Sequence, residues 1–205
     1  MSKTSKGWMQ EHVNDAYVKQ AQAEGFRSRA AYKLKEIDAR DHLITPGHCV
    51  VDLGAAPGSW SQYIALKVGR SGKVIAVDVL PMAGIPAVDF IQGDFREDVV
   101  LAEVEKSLGK RIVDLVVSDM APNISGISSA DQARSLHLCE LALEFTCKHL
   151  KVGGNFLVKT FQGAGFTDFQ KELRRHFTTV SSRKPAASRG RSSEMYLLAK
   201  GLIRV

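Results

Sequence analysis

Seven short apolar runs alternate with stretches of helical spacing along this chain, and the alternation predicts a doubly wound α/β fold. The expected architecture is a seven-stranded, mostly parallel sheet with helices on both faces. Two features give it direction. Cys49-Val-Val-Asp-Leu-Gly-Ala-Ala-Pro-Gly-Ser-Trp60 reads as an interior strand running into a glycine-rich turn and then a helix. Asp78 and Asp94 then stand at the ends of the next two apolar runs, on what would be one edge of the sheet.

The elements follow in order. Trp8 to Ala23 has helical spacing in Trp8, Val13, Ala16, Tyr17 and Ala21, and Arg29 to Arg40 has it in Ala30, Tyr32, Leu34 and Ile37. Between them, Glu24-Gly-Phe-Arg-Ser-Arg29 offers Ser28 as an N-cap and leaves Arg27 and Arg29 available to phosphates. Pro46-Gly47 marks the entry to the first strand. Helices are expected after Gly58, around Asp98 to Leu108, across Asp131 to Leu150 and across Phe166 to Phe177. The remaining strands are Lys73 to Asp78, Asp89 to about Gln92, Ile112 to Ser118, Asn155 to Lys159, about Thr178 to Arg183, and Met195 to Ala199. The last two read as a hairpin-like end to the sheet.

The turn after the first strand predicts the ligand class. Gly54 and Gly58 free the backbone to turn sharply where a ligand must come close. Asp78 lies twenty residues after Gly58, the spacing at which a second-strand carboxylate reaches a ribose diol. Asp94 is placed to accept a hydrogen bond from an adenine amino group, so the ligand should contain adenosine. A pyrophosphate fingerprint wants glycines at the first, third and sixth positions, and here only Gly54 and Gly58 fit, four apart. The turn also lacks the Lys followed by Ser or Thr of a triphosphate-binding loop. A cofactor with no phosphate and with its own sulfonium charge fits better, which points to S-adenosylmethionine.

Composition narrows the class further. A chain of 205 residues with 44% apolar content suits a single domain, 1–205, in which residues 1–45 form N-terminal helices and 46–205 the Rossmann-like core. No window approaches the ~18 apolar residues of a membrane span, and the first residues lack the apolar middle of a secretory signal, so a cytoplasmic protein is expected. Cys49, Cys139 and Cys147 lie in apolar surroundings without zinc-ligand spacing, and are expected as buried free thiols with no metal. Nothing suggests an interface helix, so a monomer is the default. Net charge is +6, distributed as +3 over residues 1–40, −4 over 41–170 and +7 over 171–205. Basic ends around an acidic middle imply a phosphate-rich partner.

Two strand tips carry reactive groups. The fourth strand leads into Ser118-Asp-Met-Ala-Pro-Asn123, and the fifth delivers Lys159 to the same edge after an apolar run. A lysine there is costly to bury unless it is paired or used. The turn Asp52-Leu-Gly-Ala-Ala-Pro-Gly-Ser-Trp60, the segment Ser118 to Asn123, Val158-Lys-Thr-Phe-Gln-Gly163, Arg27-Ser-Arg-Ala-Ala-Tyr-Lys33 and Ser188-Arg-Gly-Arg-Ser-Ser-Glu194 together resemble the FtsJ/RrmJ-type RNA 2′-O-methyltransferases. Five ordered motifs carry the resemblance over nearly the whole chain.

The resemblance implies a Rossmann-like, S-adenosylmethionine-dependent methyltransferase fold and a Lys-Asp-Lys-Glu tetrad, which falls here on Lys33, Asp119, Lys159 and Glu194. It also implies that Gly58, Trp60, Asp78, Asp94 and Asp119 contact the cofactor. Ser59, where relatives often place another glycine, departs mildly from the pattern. The implied reaction is 2′-O-methylation of a ribose, a uridine of 23S-type large-subunit ribosomal RNA, within the large subunit. Lys159 is expected as general base, Asp119 to orient it, and Glu194 to orient Lys33 or the substrate hydroxyl. Methylation of transfer RNA ribose, or a non-catalytic ribosome-assembly role on the same fold, are the alternatives. Arg27, Arg29, Lys33 and Lys35 are expected to converge with Arg183, Lys184, Arg189 and Arg191 as a basic rim for RNA.

Overall fold

The computed structural model describes residues 15–122, 125, 128–188 and 192–203. Helices α1 (Ala16–Glu24) and α2 (Ala30–Asp41) precede β1 (Cys49–Leu53), α3 (Ser59–Val68), β2 (Lys73–Asp78), β3 (Val88–Gln92) and α4 (Asp98–Leu108). Then come β4 (Val113–Ser118), α5 (Ser128–His149), β5 (Leu150–Phe161), α6 (Phe166–His176), β6 (Phe177–Arg183) and β7 (Glu194–Leu202). One seven-stranded sheet runs in the order β3-β2-β1-β4-β5-β7-β6, parallel except where β7 pairs antiparallel with both β5 and β6. The expected strand count and the closing hairpin are therefore present, and so are helices on both faces.

Every residue of β1 is buried, as an interior strand of a parallel sheet requires. Side chains alternate between two cores. Val50, Val74, Leu115, Val117, Leu157, Tyr196 and Leu198 meet α2 and α3 on one face, through Leu34, Ile37, Trp60 and Ile64. Val51, Leu53, Ile75, Val77, Val116, Phe156 and Leu197 meet α4, α5 and α6 on the other, through Val104, Cys139 and Leu173. The period of two thus fixes which chemistry can meet which helix.

Helix α1 covers only the later part of the helix expected from Trp8, whose earlier residues lie outside the described ones. Strand β5 begins earlier than expected, at Leu150, because β4 reaches back to pair Val113 with Leu150 across an irregularity before Leu115. Cys49 and Cys139 are buried thiols, but Cys147 is exposed. The reason is helical geometry. Eight residues advance a helix by about 80° beyond two full turns, which carries Cys147 off the stripe that buries Cys139. Among the described residues no helix is long and apolar enough to cross a membrane.

Candidate active site

Sheet parity assembles the tetrad. Lys159 faces Tyr196 across the β5–β7 ladder, and Phe161 faces Glu194, so Lys159, Tyr196 and Glu194 project from the face that carries α2. Asp119, two residues after Val117, joins them from the end of β4, and α2 lays Lys33 over the group. Two ion pairs result. Lys159 Nζ lies 3.2 Å from Asp119 Oδ1 and also donates to the Asp119 carbonyl. Lys33 Nζ lies 2.8 Å from each carboxylate oxygen of Glu194, one of which also accepts from Ser188 Oγ at 2.7 Å. Lys159 is only 7% exposed, so this ammonium is held by partners and not by water.

Tyr196 joins the pairs, and it is the residue that sequence reasoning missed. Its hydroxyl donates to Asp119 Oδ1 at 2.7 Å, its ring centroid lies 5.8 Å from Lys33 Nζ, and the ring packs 5.7 Å from that of Trp60. Burial, then the charges of Asp119 and Glu194, push the phenol well above its ordinary range, so Tyr196 stays a donor. In the sequence it is one apolar-looking position in a strand. Only the register with Lys159 marks it.

Beside the tetrad a cleft of about 480 Å³ opens at the carboxyl ends of β1, β2, β3 and β4, between Gly54, Asp78, Asp94 and Asp119. The strand order reverses at β1, where ligands of such sheets sit. Gly54, at φ +75°, brings the turn so close to the β4 tip that an added Cβ would lie 2.3 Å from Met120 Cγ. Asp78 accepts from Ala56 N and Leu80 N at 2.8 Å each, which aims its carboxylate along the cleft wall. Asp94 is gripped by Arg96, whose Nε lies 2.8 and 2.9 Å from its two oxygens, and this contact holds the Asp94 carboxyl below its usual range. A ligand amino group at Asp94 therefore competes with Arg96, which lines the same cleft.

The other expected contacts sit differently. Gly58, at φ +106°, has no room for a side chain because Met82 Sδ, Ile85 Cδ1 and Arg27 Nη1 all lie within 2.8 Å of where a Cβ would be. Its missing side chain makes space for protein and not for the cleft. Trp60 turns its ring into the core and donates Nε1–H to the Ala30 carbonyl at 2.8 Å. Ser59 Oγ meets Ser28 Oγ at 2.8 Å, so this position ties the turn to the N-terminal segment. Behind the cleft, Asp52 is fully buried, with Oδ2 accepting from Ser61 Oγ at 2.6 Å and Oδ1 without a partner among the described residues. Burial, with the negative charges of Asp119 and Asp78 added and Ser61 opposing, pushes its carboxyl up to about 7.

The basic ends of the chain do converge, but their arginines are engaged within the protein. Arg27 donates to three carbonyls, those of Pro57, Ala83 and Gly84. Arg29 pairs with Asp15 and donates to the Ala187 carbonyl. Arg183 grips Asp41 with two bonds, at 2.6 and 2.7 Å, and Lys184 donates to the carbonyls of Ser192 and Glu194. Lys35 meets Glu24 at 3.2 Å. Of the expected phosphate-binding rim, these members join the N-terminal helices to their surroundings or brace the hairpin, and Arg189 and Arg191 lie outside the described residues.

A doubly wound sheet that presents acids, not phosphate-binding amides and lysines, at its switch point has the architecture of a Rossmann-like methyltransferase. A solved structure described as a ribosomal RNA methyltransferase from Plasmodium falciparum superposes with a TM-score of 0.78 at 30% identity, covering 88% of this chain and 100% of that one. The chain belongs to the FtsJ-like methyltransferase family, whose pattern matches residues 26–202. Relatives named Ribosomal RNA large subunit methyltransferase E share 61% identity in Azoarcus sp. (98% of each chain), 61% in Chromobacterium violaceum (98% of each) and 60% in Neisseria meningitidis (97% of each).

Proposed function

We propose that this methyltransferase uses S-adenosylmethionine to methylate a ribose 2′-hydroxyl, that of a uridine in 23S-type large-subunit ribosomal RNA, within the large subunit. The observation that carries the reading is the pair of ion pairs, Lys159–Asp119 and Lys33–Glu194, set against the cleft. The residues present suit that cofactor. Arg96 offsets Asp94 and Lys159 offsets Asp119, and the charge of Asp78 leaves the cleft wall net negative, which favours a cationic sulfonium over a phosphate. The bound cofactor supplies an electrophilic methyl carbon.

Lys159 is the proposed general base. After its ammonium has given up a proton to solvent, the neutral amine would take the 2′-hydroxyl proton, which makes the ribose oxygen the nucleophile for the methyl group that the cofactor would supply. Asp119 fixes the Lys159 amine by both its carboxylate and its carbonyl, and Tyr196 holds that carboxylate from the other side. Glu194 holds Lys33, whose ammonium is then placed to steady the nucleotide that brings the hydroxyl in. Asp78 and Asp94 would seat the ribose diol and adenine of the cofactor, with Gly58 and Trp60 shaping the cradle from behind.

The test uses methyl-labelled S-adenosylmethionine with ribosomal subunits, naked ribosomal RNA and transfer RNA in separate reactions, followed by nucleoside analysis. Label in a 2′-O-methyluridine of the large subunit is expected, with Lys159→Ala slowing the single-turnover rate by at least about a hundredfold. Label in transfer RNA alone would overturn the substrate. A Lys159→Ala rate within a factor of about three of wild type would overturn the role of Lys159.

A further inference from the structure

Resting on the cofactor reading above, we propose that Arg27 is a positioning residue that sets the two cofactor loops against each other, and is not an RNA phosphate contact. The glycine turn after β1 and the connection between β2 and β3 form adjacent walls of the cleft, through Ala56 on one side and Val79 and Leu80 on the other. Val79 and Leu80 are 60% and 61% exposed, so packing alone does little to hold that wall. Arg27 spans both. Its Nη1 donates to the Pro57 carbonyl at 2.9 Å and to the Ala83 carbonyl at 2.7 Å, while Nη2 donates to the Gly84 carbonyl at 2.8 Å.

A guanidinium has five N–H donors in a rigid plane, and here both donors of Nη1 and one of Nη2 go to backbone acceptors from two loops. A phosphate approaching through Nη1 would have to displace them. The sequence of the turn is shaped around the same contact, since Arg27 Nη1 lies 2.8 Å from the Cβ that Gly58 lacks. The backbone around Arg27 is also fixed. Arg27 N donates to Gln62 Oε1 at 2.9 Å, and Gln62 Nε2 donates to the Gly25 carbonyl at 3.1 Å, seating this segment on α3. Three residues after it, α2 begins and carries Lys33. The segment that delivers Lys33 to the tetrad is therefore the one that braces the cofactor walls.

The experiment compares the full chain with Arg27→Met, Arg27→Lys and Gly58→Ala, measuring S-adenosylmethionine binding by calorimetry, large-subunit ribosomal RNA binding without cofactor across salt concentrations, and steady-state methylation. Arg27→Met is expected to raise the cofactor Kd and KM by about tenfold or more, the effect of losing charge-assisted bonds, with kcat at saturating cofactor within a factor of about two. Arg27→Lys should recover part of that loss, and Gly58→Ala should weaken cofactor binding without any change of charge. RNA affinity and its salt slope should stay as in wild type.

Cofactor affinity unchanged in Arg27→Met, beside a parent that binds normally, would overturn the inference. So would a fall in RNA affinity with a salt slope reduced by about one, the mark of a lost phosphate contact. Should Arg27→Met fail to fold, Arg27→Lys and Gly58→Ala decide, and wild-type cofactor affinity in both would overturn it. Failure of the unaltered protein to bind S-adenosylmethionine would instead overturn the cofactor reading itself, and this inference with it.

Discussion

Replacing Asp52 with asparagine should stabilise the protein, and more so as pH rises. Asp52 sits fully buried on β1 with one oxygen bonded to Ser61 and the other unpartnered, and burial pushes its carboxyl to about 7 from an ordinary value near 3.9. The sign follows from which state holds the proton more tightly. The folded state does, so this group's contribution to stability is complete below about pH 4 and is lost as pH rises through about 7. A separation of about three pH units corresponds to about 4 kcal/mol once the loss is complete, at ~1.36 kcal/mol per unit. Asparagine keeps the size and the acceptor for Ser61 but never ionises. Urea unfolding of both proteins at about pH 5 and about pH 8 should show the stability gap widening by about 3 kcal/mol, because other titrating groups cancel in the difference. An equal gap at the two pH values would refute the burial argument.

Further outcomes follow from the same contacts. Tyr196→Phe removes the hydroxyl that Asp119 accepts but keeps the ring under Lys33, and should lower the single-turnover methylation rate by about tenfold while leaving cofactor affinity unchanged. Asp41→Asn loosens the grip of Arg183, whose contact holds the Asp41 carboxyl below its usual range. It should cost about 2–3 kcal/mol in urea unfolding near neutral pH, and the cost should shrink as pH falls below about 4, where the unfolded carboxyl takes up its proton, until the folded carboxyl, held below its usual range, is protonated too. Thiol labelling of the native protein should modify Cys147 first, with Cys49 and Cys139 protected until unfolding, since burial pushes their thiols up to about 11 and about 12. Mass spectrometry of labelled peptides separates the three.

Residues whose role is local were legible in the sequence. Strand β2 ends at Asp78 and helix α4 spans Asp98–Leu108, as spacing predicts, because apolar period and flanking glycines fix both. The tetrad was visible through its motifs, but its pairing was not: Lys33 and Glu194 are 161 positions apart, and only the fold brings them to 2.8 Å. The same distance in sequence hid the fate of the arginines. Arg27 and Arg29 read as available to phosphates because most of their acceptors are backbone carbonyls up to 158 positions away, and a carbonyl leaves no mark in composition. Gly58 reads in sequence as a glycine that lets a ligand come close, whereas the atoms that crowd it in the fold are those of Arg27, Met82 and Ile85. Trp60 packs its ring into the core and bonds the Ala30 carbonyl, a role that its place in the glycine-rich turn does not announce.

The reversal of β7 also governs how this site tolerates change. In a wholly parallel sheet each strand would reach the reactive edge with its last residues, whereas β7 reaches it with its first, Glu194 and Tyr196. The ladder from Asn155–Lys200 to Phe161–Glu194 sets the register at which those two side chains meet Lys159, and the connection before it adds Ser188 on the Glu194 carboxylate and Lys184 on the Glu194 carbonyl. A slip of that ladder by a single residue would turn both to the opposite face of the sheet. A deletion inside β7 would dismantle the tetrad while leaving the apolar composition of the strand almost unchanged.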